Sequence, residues 1–458
     1  MLNVYLNMKQ LTNLTVKQEI GATSLAINAI NLAIGAGIFI LPATVAGNLG
    51  SASFIAYIIC GLLLFLIMLC YAEIGSKVTT SGGSYAYVEK AFGPLAGFLI
   101  SILFLISNIL GDAAIANVMV DIIGTLLPIF NITYIRVLFF ISIYGFLAFV
   151  NIRGAKQGSQ FAVAATILKL TPLLMLILVG FFSISTDNLI IKTLPNLKSV
   201  GETALILFFA FLGIESALNI SGEIKNPKKN IPKGIFLGVA GILLIYLFIQ
   251  FVAQGVLGVQ LNANEKEPLA LLAKNLIGPI GGILILATTI LSILGTISGD
   301  ILTSPRLLFA ASQDKLIPDF LSRLHPKFAT PYWSIILFSA ATIFFAATGS
   351  FKQLVVYVTS SVLLIYLSVI LATIRLRYKK DLTVPVVDDN VTESGFKMPG
   401  GLVIPVLAIA TICWLLSHIT LSEIIVFIVF FTVLILIYFI NKFVRGRISF
   451  TESRSLDH

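Results

Sequence analysis

Apolar and polar positions alternate along this chain in long blocks. Twelve apolar runs lie at roughly 22–46, 52–76, 94–126, 134–151, 159–182, 202–221, 234–258, 279–310, 332–349, 353–375, 402–419 and 422–441. About 20 apolar residues cross a bilayer as one helix, so the runs predict twelve membrane-spanning helices. Those at 94–126 and 279–310 are long enough to tilt. Two runs are interrupted. The first contains Gly35-Ala36-Gly37-Ile38-Phe39, followed by Pro42, and the sixth contains Phe211-Leu212-Gly213-Ile214-Glu215-Ser216. Glycine costs ~1 kcal/mol against alanine inside a helix, and a carboxylate facing lipid costs more. Irregular backbone survives at membrane depth only where it is buried in protein or lines a cavity. The pattern therefore predicts two discontinuous helices, an arrangement that marks the substrate site of secondary transporters.

The interrupted runs are the first and the sixth. Five spans separate the start of one unit from the start of the next, so the second unit enters the membrane from the opposite side. This predicts a five-plus-five inverted repeat in an all-α polytopic membrane protein. Repeat one covers about 20–183 and repeat two about 200–376. Helices 11 and 12 follow at about 400–442, and a cytoplasmic tail at 443–458 completes a single transmembrane domain, 1–458.

Composition agrees. Of 458 residues, 58% are hydrophobic and 11% charged, and the mean hydropathy is +1.01. A soluble domain carries about 25% charged residues, so little of the chain is left for one. Placing the N-terminus in the cytoplasm puts 23 of the 30 Lys and Arg on inner segments and six on outer ones. Basic residues collect on cytoplasmic loops, which predicts cytoplasmic N- and C-termini in a cell membrane. The same bias explains the net charge of +9 without a nucleic-acid partner. Cys60, Cys70 and Cys413 fall in apolar runs and are expected to be buried, free thiols. Residues 1–20 show no pattern of a cleaved signal peptide. His325, His418 and His458 form no metal-ligand spacing, and no HExxH or nucleophile–base motif occurs. A membrane enzyme, a resident metal and a cofactor are therefore not expected.

The breaks carry the candidate chemistry. At the first, amides starting a half-helix near Ile38 suit a carboxylate, and carbonyls ending the preceding half-helix suit an ammonium group. A zwitterionic amino acid satisfies both. Close helix packing is the competing reason for such glycines. At the second break, Phe208, Phe209 and Phe211 offer rings to close over a bound side chain. Glu215 is expected to face the bundle interior, holding the break together or titrating, with the structural role favoured. Lys169 is the one lysine well inside a span, too deep to snorkel to the surface. It is read either as a proton carrier or as a fixed cation in place of a sodium ion. Asn108 and Asp112 are expected to partner each other, and Glu73 and Lys77 to form an interfacial ion pair. Asp300 and Arg306 fall in the cytoplasmic half of the eighth span.

Four stretches together resemble the amino acid–polyamine–organocation family of transporters. GAGIFILP at 35–42 is similar to its first-helix signature, and SGGSYAYVEKAFGPLAGF at 81–98 to its loop between helices 2 and 3. FFAFLGIESALNISGEIKNPKKNIPKGI at 208–235 resembles its sixth helix and following loop. SPRLLFAASQDKLIPDFLSRLHPKFATPYWS at 304–334 resembles its helix 8 to helix 9 segment. The resemblance implies alternating access around a mid-membrane site. It implies that a substrate carboxylate binds near Ala36, Gly37 and Ile38, and an amino group near Ile34, Phe208, Phe211 and Ile214. Phe209 matches an aromatic gate that is tryptophan in basic amino acid exchangers, and Lys169 matches a lysine of sodium-independent and proton-coupled members. The chain lacks a helix 8 tryptophan, lacks an alanine-like residue at Lys169, and keeps one acid, Glu223, of a frequent Glu-Glu pair. The first two departures point away from arginine–agmatine exchange. The expectation is sodium-independent, proton-coupled uptake or exchange of neutral L-amino acids. A basic amino acid or polyamine antiporter is the runner-up, and a membrane amino-acid sensor is the reading from another class.

Overall fold

The computed structural model describes residues 20–78, 82–153, 169–191, 193–263, 266–313, 317–378 and 395–455. Its helices are α1 (Ala22–Ala33), α2 (Gly37–Leu49), α3 (Phe54–Lys77), α4 (Gly83–Phe92), α5 (Pro94–Leu126) and α6 (Thr133–Arg153). Next come α7 (Lys169–Phe181), α8 (Leu197–Leu207), α9 (Pro227–Leu257), α10 (Pro268–Ile277), α11 (Pro279–Thr303) and α12 (Pro305–Gln313). The last four are α13 (Tyr332–Thr348), α14 (Phe351–Tyr378), α15 (Val403–Leu416) and α16 (Leu421–Ser455).

Proline fixes several helix starts. Pro94 opens α5, Pro227 opens α9 and Pro279 opens α11. At a first helical position the missing N–H is no loss, and the fixed φ suits the helix. The residue before each proline, Gly93, Asn226 or Gly278, adopts a positive φ that turns the chain. Alpha-helix dominates because each apolar segment satisfies its backbone polar groups internally, as lipid requires.

Among the described residues, eight helical segments are long and apolar enough to cross a membrane. They become nine when α1 and α2, bent by 59° at their break, count as one span. The shorter apolar helices α7, α13 and α15 fall on three of the expected runs, and α10 falls between the seventh and eighth. The protein is an all-helical, polytopic membrane protein. The expected run at 159–182 is described only from Lys169 onward. Ser81, Lys9, Lys17, Lys156, Lys192, Lys315, Lys379 and Lys380 also lie outside the described residues.

Two packed groups organise the bundle. The first joins α1, α3, α8 and α9; the second joins α5, α6, α11 and α13, with α14 running between α3, α5 and α8. Helix α9 lies tightly along α1. A Cβ on Gly234 would come within 2.8 Å of Leu25 Cδ2, and one on Gly238 within 3.0 Å of Ala29 Cβ. Small residues let membrane helices approach in this way. Cys60 and Cys70 are buried as expected, but Cys413 is exposed on the outer face of α15. An apolar run that faces lipid reads the same in sequence as one that faces protein.

Candidate functional site

Both expected breaks are present, and they meet. Helix α1 ends at Ala33, and Ile34 leaves helical geometry at ψ 84°. Helix α2 restarts at Gly37. Helix α8 tightens into a 3-10 turn at Phe208–Phe211, Leu212 is extended, and a second 3-10 stretch begins at Ile214. Gly213 sits at φ +104°, a conformation that costs other residues roughly 1–2 kcal/mol. A Cβ there would also stand 2.7 Å from the Leu32 carbonyl oxygen. Gly37 reciprocates, since its Cβ would lie 2.9 Å from Ala210 Cα. The close neighbour of Gly37 is thus the other break. Gly35 is the glycine of this segment whose missing side chain faces open space.

Ile34, Ala36, Gly37, Ile38, Phe208, Phe211 and Ile214 are all buried around this junction. The first N–H groups of α2 have no carbonyl one turn behind them and carry the positive end of its dipole. The last carbonyls of α1 point the opposite way. Buried ends of opposite polarity thus lie a few residues apart, and their polarity is that which suits a carboxylate at one and an ammonium group at the other.

The freed carbonyls of α1 have specific partners. Lys169 Nζ donates to Asn31 O at 2.7 Å, and Lys169 is only 6% exposed. It is buried against the first break and does not snorkel. Tyr246 of α9 places its hydroxyl 3.0 Å from Ala33 O and 2.7 Å from Ala210 O. One side chain therefore bridges both breaks. Glu215 Oε2 accepts from Gly213 N–H at 3.0 Å and from the Tyr366 hydroxyl at 2.6 Å. These bonds tie Glu215 to the backbone of the second break and to α14. Sequence reasoning missed Tyr246 and Tyr366. The available signal was a tyrosine in the middle of an otherwise aliphatic run.

The three phenylalanines diverge. Phe208 and Phe211 stack at 6.4 Å, and Phe211 meets Tyr57 at 6.4 Å and Tyr246 at 5.0 Å. Phe209 turns the other way, half-buried, with its ring edge-on to Phe351 at 6.2 Å. One other expectation needs correction. Asn108 donates to Ser304 Oγ at 2.9 Å rather than to Asp112, while the carboxyl of Asp112 faces that of Asp300 across α5 and α11. Glu73 does pair with Lys77, at 2.8 Å. It also accepts Arg377 Nε at 2.8 Å and the Met398 N–H at 3.1 Å, so the pair belongs to a larger network.

The junction gives one sharp expectation. Gly37→Ala forces the breaks apart against Ala210 backbone, and overpacking of this kind costs about 1–3 kcal/mol. Substrate affinity of the purified variant should fall about tenfold. Ala210→Gly should restore part of it, because the Ala210 Cβ is removed while its Cα stays. Unaltered binding in Gly37→Ala would detach this contact from the site.

Several known transporters are similar to the chain over most of its length. The chain is 27% identical to the methylthioribose transporter of Bacillus subtilis (strain 168) over 93% of this chain and 94% of that protein. It is 30% identical to the serine/threonine exchanger SteT of the same organism over 71% of this chain and 75% of that one. Identity to the mouse Asc-type amino acid transporter 1 is 30%, over 80% of this chain and 71% of the mouse protein. The profile of the amino acid permease family matches residues 19–451, spanning both breaks and everything packed around them. A match of that extent makes the chain a member of the amino acid permease family.

Proposed function

We propose that this protein carries neutral L-amino acids across a cell membrane by alternating access, independently of sodium, by exchange or with a coupled proton. The carrying observation is the junction of two buried half-helix ends, with Lys169 bound to the Asn31 carbonyl. In this reading, α2 amides at Ala36, Gly37 and Ile38 receive the substrate carboxylate. Carbonyls near Ile34, Phe208, Phe211 and Ile214 receive its amino group, and Phe209 closes over the side chain. The twelve-span, five-plus-five topology with both termini in the cytoplasm belongs to the same proposal.

Lys169 supplies the charge that a sodium ion gives elsewhere. An ammonium on a helix-end carbonyl stabilises the broken backbone without a metal ion. If it also releases and regains its proton during the cycle, transport follows a proton gradient.

Proteoliposomes with choline in place of sodium test this directly. Full uptake of serine, leucine or another neutral amino acid is expected, and Lys169→Ala should abolish any pH dependence. Strict dependence on sodium would sink the proposal. The substrate panel includes arginine, putrescine and methylthioribose, the last because of the relative of that name. Preference for any of these would move the substrate class.

A further inference from the structure

A cavity of about 320 Å³ lies where α5, α6, α13 and α14 meet, apart from the two breaks. Ligand pockets start near this size, at about 300 Å³. Its polar wall is Asp121 and Asn117 of α5, one turn apart, with Arg136 of α6. Arg136 Nη1 donates to Asp121 at 2.5 Å and Nη2 to Asn117 Oδ1 at 2.9 Å. The Asn117 amide is committed in turn to Ala346 O at 3.0 Å and Gly349 O at 3.2 Å. Asn117 therefore fixes the guanidinium against the carbonyl end of α13, where helix dipoles leave partial negative charge. The apolar wall includes Phe351, the ring that meets Phe209.

The ion pair's own contribution to stability does not account for its placement here. Asp121 and Arg136 keep 32% and 22% of their side chains exposed, and an ion pair so open contributes at most about 1 kcal/mol. The pair instead presents, side by side, the two charges that complement the ends of an α-amino acid. A singly charged ligand would satisfy one partner and strand the other. A zwitterion that displaces their mutual bond pairs with both, and α13 carbonyls add to its ammonium side. Guanidinium N–H groups beyond the two already bonded remain for the carboxylate.

We propose that this cavity is a second, shallower binding site for a free zwitterionic amino acid, with its carboxylate on Arg136 and its ammonium on Asp121 and the end of α13. The site borders the Phe209–Phe351 ring pair, so it holds cargo on the approach to the main site. The ligand class rests on the transport reading above.

Equilibrium dialysis of purified full-length protein with radiolabelled L-serine and L-leucine counts the sites. Wild type should bind two molecules per chain. Asp121→Asn with Arg136→Gln, which keeps shape and removes charge, should bind one. Val137→Trp, which fills the cavity and leaves both charges, should also bind one. The surviving site reports that each variant is folded. A single site in wild type, two sites in both variants, or loss of both sites in both variants overturns the second site and leaves the transport reading standing. No binding of any neutral amino acid to wild type overturns the transport reading, and this inference with it.

Discussion

Arg377→Ala should melt well below wild type, because it removes two of the bonds that hold a buried carboxylate. Glu73 is fully buried near the end of α3. Arg377 of α14 grips it with Nε and Nη2, Lys77 with Nζ, and Met398 with its backbone N–H. The same guanidinium holds Gly401 O at 2.7 Å, and Ser76 Oγ accepts the Phe396 N–H at 2.8 Å. Segment 395–402 is thereby strapped across the ends of α3 and α14. Breaking a buried pair from one side costs about 3–5 kcal/mol. The loss should fall near the lower figure, since Lys77 and Met398 remain. Arg377→Lys should recover little, because ammonium cannot reproduce the two-pronged grip. Thermal unfolding in detergent measures it, and Glu73→Gln combined with Arg377→Met should cost less than the sum of the single changes. Equal melting of wild type and Arg377→Ala would refute the account.

Gly213→Ala should abolish transport at normal expression levels. Its φ of +104° penalises any side chain, and the new Cβ would meet the Leu32 carbonyl at 2.7 Å. The neighbour is backbone, so no rotamer change relieves the contact. Together the strain and the clash exceed the 1.4 kcal/mol that corresponds to tenfold in affinity, and they act where both breaks touch. Gly145→Ala is the matched control. Gly145 lies in α6 with open space around it, and alanine there should stabilise the helix by roughly 0.5–1 kcal/mol. Wild-type substrate affinity in Gly213→Ala would show that the second break tolerates rearrangement.

Local composition made the breaks legible. Glycine pairs and Glu215 cannot sit in a plain lipid-facing helix, so Gly35–Gly37 and Gly213–Glu215 announced themselves, and a lysine ten residues into a span had to be buried. What closes the site was not legible. Tyr246, Tyr366 and Arg377 find partners far along the chain, and nothing in the spacing of apolar residues fixes which tyrosine hydroxyl reaches which carbonyl. Helix ends were misjudged where polarity and helicity part company. Helix α9 begins at Pro227, seven residues before its apolar run, because Lys228, Lys229 and Lys233 are good helix formers outside lipid. Asn108 and Asp112 share a helix face at the right spacing, yet Ser304, just past the end of α11, and Asp300 within it are the partners they meet across the interface.

Helices α1 and α2 read as one span but are fastened to different neighbours. Helix α1 is clamped along α9 at Gly234 and Gly238, whereas α2 rests on α8, α10 and the turn at Gln260–Ala263. The three residues 34–36 therefore work as a mechanical joint. Torque applied to α1 by its clamp reaches α2 through those peptide torsions, through the Gly37–Ala210 bearing surface and through a lighter contact between α2 and α9. With cargo bound at this pivot, as proposed above, the lever arms on either side would swing through a wide arc while the cargo itself barely moves.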